Sequence, residues 1–232
     1  MLKTKELSVF SLAYWREAAA QFANLRMVCV AAMFIALRVI LKLLTINITP
    51  SLHVEIDFLA DALGSAIYGP LMGLVCGAVT DTINAVCFPV GPYFLPFILQ
   101  EMLGSFLFGL FFWRRKLTVS RVLVAKCADT VLCNMILNSL LLMWLYGGNF
   151  AFMTVPRLVK NISFYPVECF CLTLLFTAIL PALSHLPIGA DLRAAGLKMT
   201  KRHYWVLGAL LLVAVAVTVV FCIWGLPLFV KK

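Results

Sequence analysis

The chain has 232 residues, of which 63% are hydrophobic and 12% charged, and its net charge is +9. A soluble domain is about half apolar, so water alone does not solvate this composition and lipid must cover part of it. The basic residues fall in short segments between apolar runs, which argues against a nucleic-acid partner and fits cytoplasmic loops that set membrane topology.

Residues 1–26 form an N-terminal segment. It mixes Lys3, Lys5, Arg16 and Arg26 with apolar positions, and no signal peptide with a small-residue cleavage site is legible in it. Within it, residues 7–25, with Phe10, Tyr14 and Phe22, read as an amphipathic helix along the cytoplasmic membrane surface. A membrane-crossing helix needs about 20 mostly apolar residues. Such runs fall at 27–46, 56–68, 71–88, 93–113, 122–146 and 156–183, the second being short. Gly69-Pro70 makes a tight turn between the second and third, and Thr49-Pro50, Gly91-Pro92 and Gly147-Gly148-Asn149 mark other loops. Residues 186–203 form a basic loop, and the uncharged run 204–229 reads as one more span. The expected fold is all-α, a polytopic membrane helix bundle. A six-helix core over 27–185 binds the substrate, and an additional transmembrane helix occupies 204–232.

Lys and Arg gather in the N-terminal segment, at Arg114, Arg115, Lys116 and Arg121, and at Arg193, Lys198, Lys201 and Arg202. The intervening loops 45–55, 89–92 and 147–155 carry none. The positive-inside rule then puts the N-terminus in the cytoplasm, and only Lys231 and Lys232 run against it.

Ionisable groups within the hydrocarbon are costly and tend to face a cavity or a partner. With this orientation, Arg38 and Lys42 share a face in the outer half of the first span. Asp81 and Asn84 lie in the outer part of the third, Gln100 and Glu101 near the start of the fourth, and Asn134 and Asn138 on the fifth. Arg157, Lys160 and Asn161 open the sixth. Polar groups from five helices at one depth predict a polar pocket open to the exterior. The competing reading has them neutralise one another, as Arg38 with Asp81, or snorkel to the interface in the case of Lys42, Arg157 and Lys160. Lys126 and Asp129, three apart on the inner half of the fifth span, read as a structural pair.

Cations in such a pocket suit carboxylates, and arginine binds them bidentately. Acids and amides suit a heterocycle edge that donates hydrogen bonds. Aromatic neighbours, Phe88, Tyr93, Phe94, Phe97, Phe152, Phe164 and Tyr165, suit a flat ring, although Tyr is also common as an interfacial anchor. The chemistry alone describes an anionic aromatic solute. The cysteines nearly all lie in apolar runs without a CxxC pair and read as small packing residues, not as metal ligands.

Three stretches resemble the folate-family substrate-binding (S) components of energy-coupling factor transporters. One runs from Tyr68-Gly69-Pro70-Leu71-Met72-Gly73 through Thr80-Asp81 to Phe88-Pro89-Val90-Gly91-Pro92-Tyr93-Phe94. The others are Ala32-Met33-Phe34-Ile35-Ala36-Leu37-Arg38 and Pro156-Arg157-Leu158-Val159-Lys160-Asn161 with Tyr165-Pro166. Each motif is short, and their order over six helices carries the likeness. The resemblance implies a six-helix protein that binds one vitamin at the outer face, here folate or a reduced folate. It implies partners too: a transmembrane coupling subunit and two ATP-binding subunits. No cofactor and no metal are expected.

The resemblance also implies that the small residues Ala32 and Ala36 dock on the coupling subunit. The physics agrees, because a small-xxx-small ridge lets helices approach closely, and this face lies about 120° from Arg38 and Lys42 on the helix. Gly73 and Gly77 form a second such ridge, expected to pack inside the bundle. The loop 89–92 is expected to act as a lid, and Pro166 to kink the sixth span.

The site expected from all this comprises Arg38, Lys42, Asp81, Asn84, Tyr93, Phe94, Gln100, Glu101, Asn138, Arg157, Lys160 and Asn161. An S component for another vitamin, or a stand-alone carrier of an anionic aromatic solute, is the alternative. A carrier would normally show an internal repeat with broken helices, and none is evident. A membrane enzyme is disfavoured because HExxH, GxSxG and a Gly-rich ATP loop are all missing.

Overall fold

The structure, a computed structural model, describes residues 9–44, 46–49, 52–88, 94–147 and 150–183, with 204–206, 208–209, 211–213 and 215–216 near the C-terminus. The expected basic loop 186–203, the lid loop 89–92 and most of 204–229 lie outside or largely outside the described residues. The described positions between 204 and 216 are helical.

Helix α1 (Leu12–Ala20) starts at Ser11, whose hydroxyl accepts the Tyr14 N–H, and tightens into a 3₁₀ turn at Gln21–Ala23. Asn24 leaves the helical region and caps α2 (Leu25–Leu43), its side chain accepting the Arg26 N–H. Such a cap satisfies one of the orphan donors at a helix start. It also marks a sharp change of direction, since the two helical segments meet at 81°.

The expected loop 45–55 instead contains a short antiparallel hairpin, β1 (Ile46–Thr49) and β2 (Leu52–Val54). It pairs Ile46 with Val54 and Asn47 with His53. Apart from this hairpin the described elements are helical, as an all-α bundle requires.

Helix α3 (Phe58–Tyr68) has only 11 residues, and every position from Ala60 to Tyr68 is buried. At 1.5 Å per residue it spans about 17 Å, roughly half of a hydrocarbon core. It is therefore a core helix that reaches partway across. Gly69, at φ 90°, turns the chain into α4 (Pro70–Cys87), where Pro70 takes the first helical turn. A side chain at Gly69 would be strained by that φ and would also meet the Trp113 ring at 3.0 Å.

A 3₁₀ turn (Leu95–Phe97) leads into α5 (Ile98–Phe112). The expected fifth span is present but in three pieces: α6 (Val119–Asp129), a π-helical segment (Thr130–Leu137) and α7 (Asn138–Tyr146). Helix α8 (Phe150–Leu183) starts earlier than expected and continues through Pro166. By length and apolarity Pro70–Cys87, Leu95–Phe112 and Val119–Leu145 can each cross a membrane, as can α1 and α2 taken as one bent segment.

The core joins Phe34 of α2, Tyr68 of α3, Met72 of α4, Phe108 and Phe112 of α5, and Leu172 and Phe176 of α8. Helices α4 and α5 pack backbone to backbone. A Cβ on Gly77 would lie 2.6 Å from the Glu101 carbonyl oxygen, one on Gly73 3.0 Å from that of Ser105, and one on Gly109 2.5 Å from Pro70 Cα. The glycine ridge expected from sequence thus forms the α4–α5 seam, where small residues let helices meet without side chains between them. Among the cysteines, Cys76, Cys133 and Cys169 fill the interior while Cys29, Cys87 and Cys127 are exposed.

Candidate functional site

A cavity of ≈ 80 Å³ opens between α2, α3, α5, α6, the π segment and α8. That is room for several waters at about 10–15 Å³ each. Helix α2 contributes Arg38. The start of α3 contributes Asp57, Phe58 and Asp61, with Glu55 just before it. Helix α5 supplies Gln100, Glu101, Gly104 and Phe108. The remaining walls are Lys126 and Asp129 of α6, Cys133 and Asn134 of the π segment, and Asn161 and Glu168 of α8.

Arg38 is 1% exposed and is the hub of the upper wall. One terminal nitrogen lies 2.8 Å from Asp61 Oδ1 and donates to Ser105 Oγ at 3.0 Å. The other donates to Glu101 Oε2 at 2.8 Å. Ser105 in turn donates to Asp61 Oδ1 at 2.7 Å, so α2, α3 and α5 are tied through one carboxylate. Lys42 donates to the second oxygen of Glu101 at 2.6 Å and lies 3.9 Å from Asp81. The Glu101 backbone itself packs against Gly77 of α4, 2.6 Å from where a Cβ there would lie.

A second ionic group forms the opposite wall. Lys126, 3% exposed, donates to Asp129 at 3.0 Å and pairs with Glu168 of α8 at 3.3 Å. Its ammonium also sits 4.4 Å from the Phe58 ring centroid, close enough for a cation–π contact. The π segment lies next to this group. Wide i→i+5 turns of this kind are rare, and they occur frequently at functional sites. Here the segment carries Cys133 and Asn134 to the cavity, and Asn134 accepts the Gln100 amide at 3.3 Å.

The sequence-derived site is thus brought together in part. Arg38, Gln100, Glu101 and Asn161 line the cavity, and Lys42 and Asp81 adjoin it through Glu101. Asn84 is buried in α4 and Asn138 half-buried in α7, but neither lines the cavity. Phe94 also stands apart from it, its ring 5.3 Å from Trp144 and 5.7 Å from Phe97 in edge-to-face contacts. Tyr93 lies outside the described residues, as do the side chains of Arg157 and Lys160.

The structure locates two pairings and changes the expected character of the walls. Arg38 pairs with Asp61 and Glu101 and not with Asp81, because α3 delivers an acid beside it. Lys126 and Asp129 do pair, but they belong to the cavity wall as well. The described walls are not cationic: Glu55, Asp57, Asp61, Glu101, Asp129 and Glu168 face only Arg38 and Lys126. Each of these cations already has a carboxylate partner, so the wall has acceptor oxygens to spare and suits a ligand edge that donates N–H bonds.

Sequence reasoning missed Asp57, Asp61 and Glu168. The available signal was the i, i+4 spacing of Asp57 and Asp61 at the head of an apolar run, which places two acids on one helical face.

On the outside of α2, Ala32 and Ala36 are exposed together with Met33, Leu37 and Ile40. Ala31, Phe34 and Arg38 point the other way into the bundle. The two alanines therefore do not pack within the described part of the chain.

The family model for the substrate-specific component of ECF transporters matches residues 26–230. A folate transporter FolT from Clostridium novyi (strain NT) is 34% identical over 120 residues, covering 52% of this chain and 70% of that protein. One from Leuconostoc mesenteroides subsp. mesenteroides is 29% identical over 143 residues, covering 59% of this chain and 77% of the relative. Among solved structures, a crystal structure of FolT bound with folic acid superposes with a TM-score of 0.60 at 30% identity, covering 64% of this chain and 90% of that one. A match from residue 26 to residue 230, on a helical bundle that gathers buried charge around a cavity, assigns the chain: it belongs to the substrate-specific components of ECF transporters.

Proposed function

We propose that this membrane protein captures folate or a reduced folate at its outer face and performs no chemistry on it. The observation that carries the reading is the cavity itself. Arg38, Gln100, Glu101 and Asn161, from three helices, meet around one cavity. The ion pairs of Arg38 and Lys126 are met within the bundle, and the remaining acids of the wall leave acceptor oxygens for a ligand. The likeness to FolT proteins, one of them seen with folic acid, supports this choice of solute.

The acid-rich wall suits the amino-bearing edge of the pterin ring, with Asp57, Asp61 and Glu101 as acceptors. The glutamate carboxylates are then assigned to Arg157 and Lys160 of α8. Uptake requires energy from elsewhere. In this reading the Ala32–Ala36 face of α2 docks on a transmembrane coupling subunit that carries two ATP-binding subunits, and the N-terminus is cytoplasmic.

The test is a calorimetric screen of vitamins against the detergent-solubilised chain, followed by reconstitution with and without the coupling module. Folate is the expected tight binder, and accumulation is expected only with the module. Tight binding of another vitamin in place of folate would refute the ligand. Transport by the chain alone would refute the S-component mechanism.

A further inference from the structure

The family match begins at residue 26, so α1 is a feature that the shared fold does not account for. One face of α1 is bound to the bundle. Tyr14 and Ala18 are fully buried with Trp113, the Tyr14 and Trp113 rings meeting edge to face at 5.0 Å. Trp15 stacks on Phe106 at 6.0 Å and donates its indole N–H to the Val9 carbonyl. Glu17 pairs with Arg114, whose guanidinium also covers the Trp113 ring at 4.9 Å. These contacts fasten α1 to the loop between α5 and α6.

The exposed side of α1, of the turn after it and of the first residues of α2 has a different character. Leu12 is 87% exposed, Leu25 76% and Phe22 43%, and Arg16 and Arg26 are exposed among them. Beyond the bend, Val28, Met33 and Leu37 of α2 are exposed as well. Across residues 9–26 and 113–121 there are six cations, Arg16, Arg26, Arg114, Arg115, Lys116 and Arg121, and one acid, Glu17. The 81° bend at Asn24 lays α1 across the direction of α2, hence along a membrane face if α2 crosses it.

We propose that α1 and the α5–α6 loop form a docking surface for anionic phospholipid headgroups. Leu12, Phe22 and Leu25 enter the acyl boundary while Arg16, Arg26 and Arg115 meet the phosphates. Apolar side chains alternating with cations on a helix that lies flat are the signature of interfacial binding, and a basic patch beside a spanning helix attracts anionic lipid. The excess of cations over acids, set beside exposed apolar side chains, favours an anionic lipid boundary over a protein partner. The surface fixes the position of α1, and through Asn24 the angle at which α2 enters the bilayer.

The full chain is reconstituted in nanodiscs of phosphatidylcholine alone or with phosphatidylglycerol, and amide exchange is followed over residues 12–23. Stronger protection is expected in the anionic discs. The exposed pair Arg16→Gln and Arg26→Gln should abolish that difference and weaken retention of phosphatidylglycerol about fivefold per arginine. Binding of folate, titrated in parallel, should not change, which separates this idea from the proposed function. Equal protection in both discs would overturn it, as would undiminished lipid retention by the double variant. Protection that appears only on adding the coupling subunit would overturn it in favour of a protein contact.

Discussion

Replacing Arg38 by glutamine tests the ionic hub directly. The side chain is 1% exposed and holds Asp61 and Glu101, each at 2.8 Å. Removing one partner of a buried ion pair costs about 3–5 kcal/mol, because the other charge stays desolvated and uncompensated. The structure says which charge that is. Glu101 keeps Lys42 at 2.6 Å, whereas Asp61 keeps only the hydroxyls of Ser105 and Ser65, at 2.7 and 3.4 Å.

The second substitution should therefore matter. Arg38→Gln with Asp61→Asn removes the orphaned acid and recovers a large part of the loss. Arg38→Gln with Glu101→Gln leaves Asp61 unpaired, strips Lys42 of its close partner and recovers little. At about 2–4 °C per kcal/mol for a chain of this size, the single variant should melt roughly 6–20 °C lower. Thermal unfolding of the detergent-solubilised protein reads the three variants side by side. Equal recovery by the two double variants, or an unchanged melting temperature for Arg38→Gln, would refute the assignment of Asp61 as the partner that depends on Arg38.

Gly77→Ala should lower stability by about 1–3 kcal/mol, the usual cost of overpacking, since its Cβ would press on the Glu101 backbone at 2.6 Å. Gly208→Ala, with nothing within 4 Å, should melt with the parent. The same thermal series checks both, and folate affinity should fall for Gly77→Ala because Glu101 moves with the seam. Arg157→Ala or Lys160→Ala should weaken folate binding about tenfold, on the order of one charge-assisted hydrogen bond, as measured by calorimetry. Unchanged affinity in both would remove them from the site. Ala32→Leu with Ala36→Leu should leave folate affinity intact and abolish co-purification with the coupling subunit, and a complex that survives would move the docking face elsewhere.

The helices and much of the site were legible because each signal was local. An apolar run of membrane-spanning length declares itself without reference to the rest of the chain, and Arg38, Gln100 and Glu101 stand out as polar groups within such runs. The Gly73–Gly77 ridge was legible for the same reason, as two small residues four apart on one helix. Asp61 escaped because its run is short and α3 could be read as a marginal span instead of a buried core helix. The π segment escaped because Thr130–Leu137 differs from an α-helix in hydrogen bonding and not in composition. Lys126 read correctly as the partner of Asp129, yet its second partner, Glu168, lies on a different helix, and no spacing rule joins positions so far apart.

By itself the sequence determined that the chain is a membrane bundle, in what order its helices come and some of the polar residues that are buried at a cost, since hydropathy and helical spacing act within a single segment. The tertiary structure alone decided which charge answers which. Whether Arg38 meets Asp61 or Asp81, and whether the walls carry a surplus of acids, depends on the rotation and depth of helices that touch only once the chain has folded. Close packing between helices sets those quantities, as at Gly77, where the approach of two backbones fixes how near α4 and α5 come to each other.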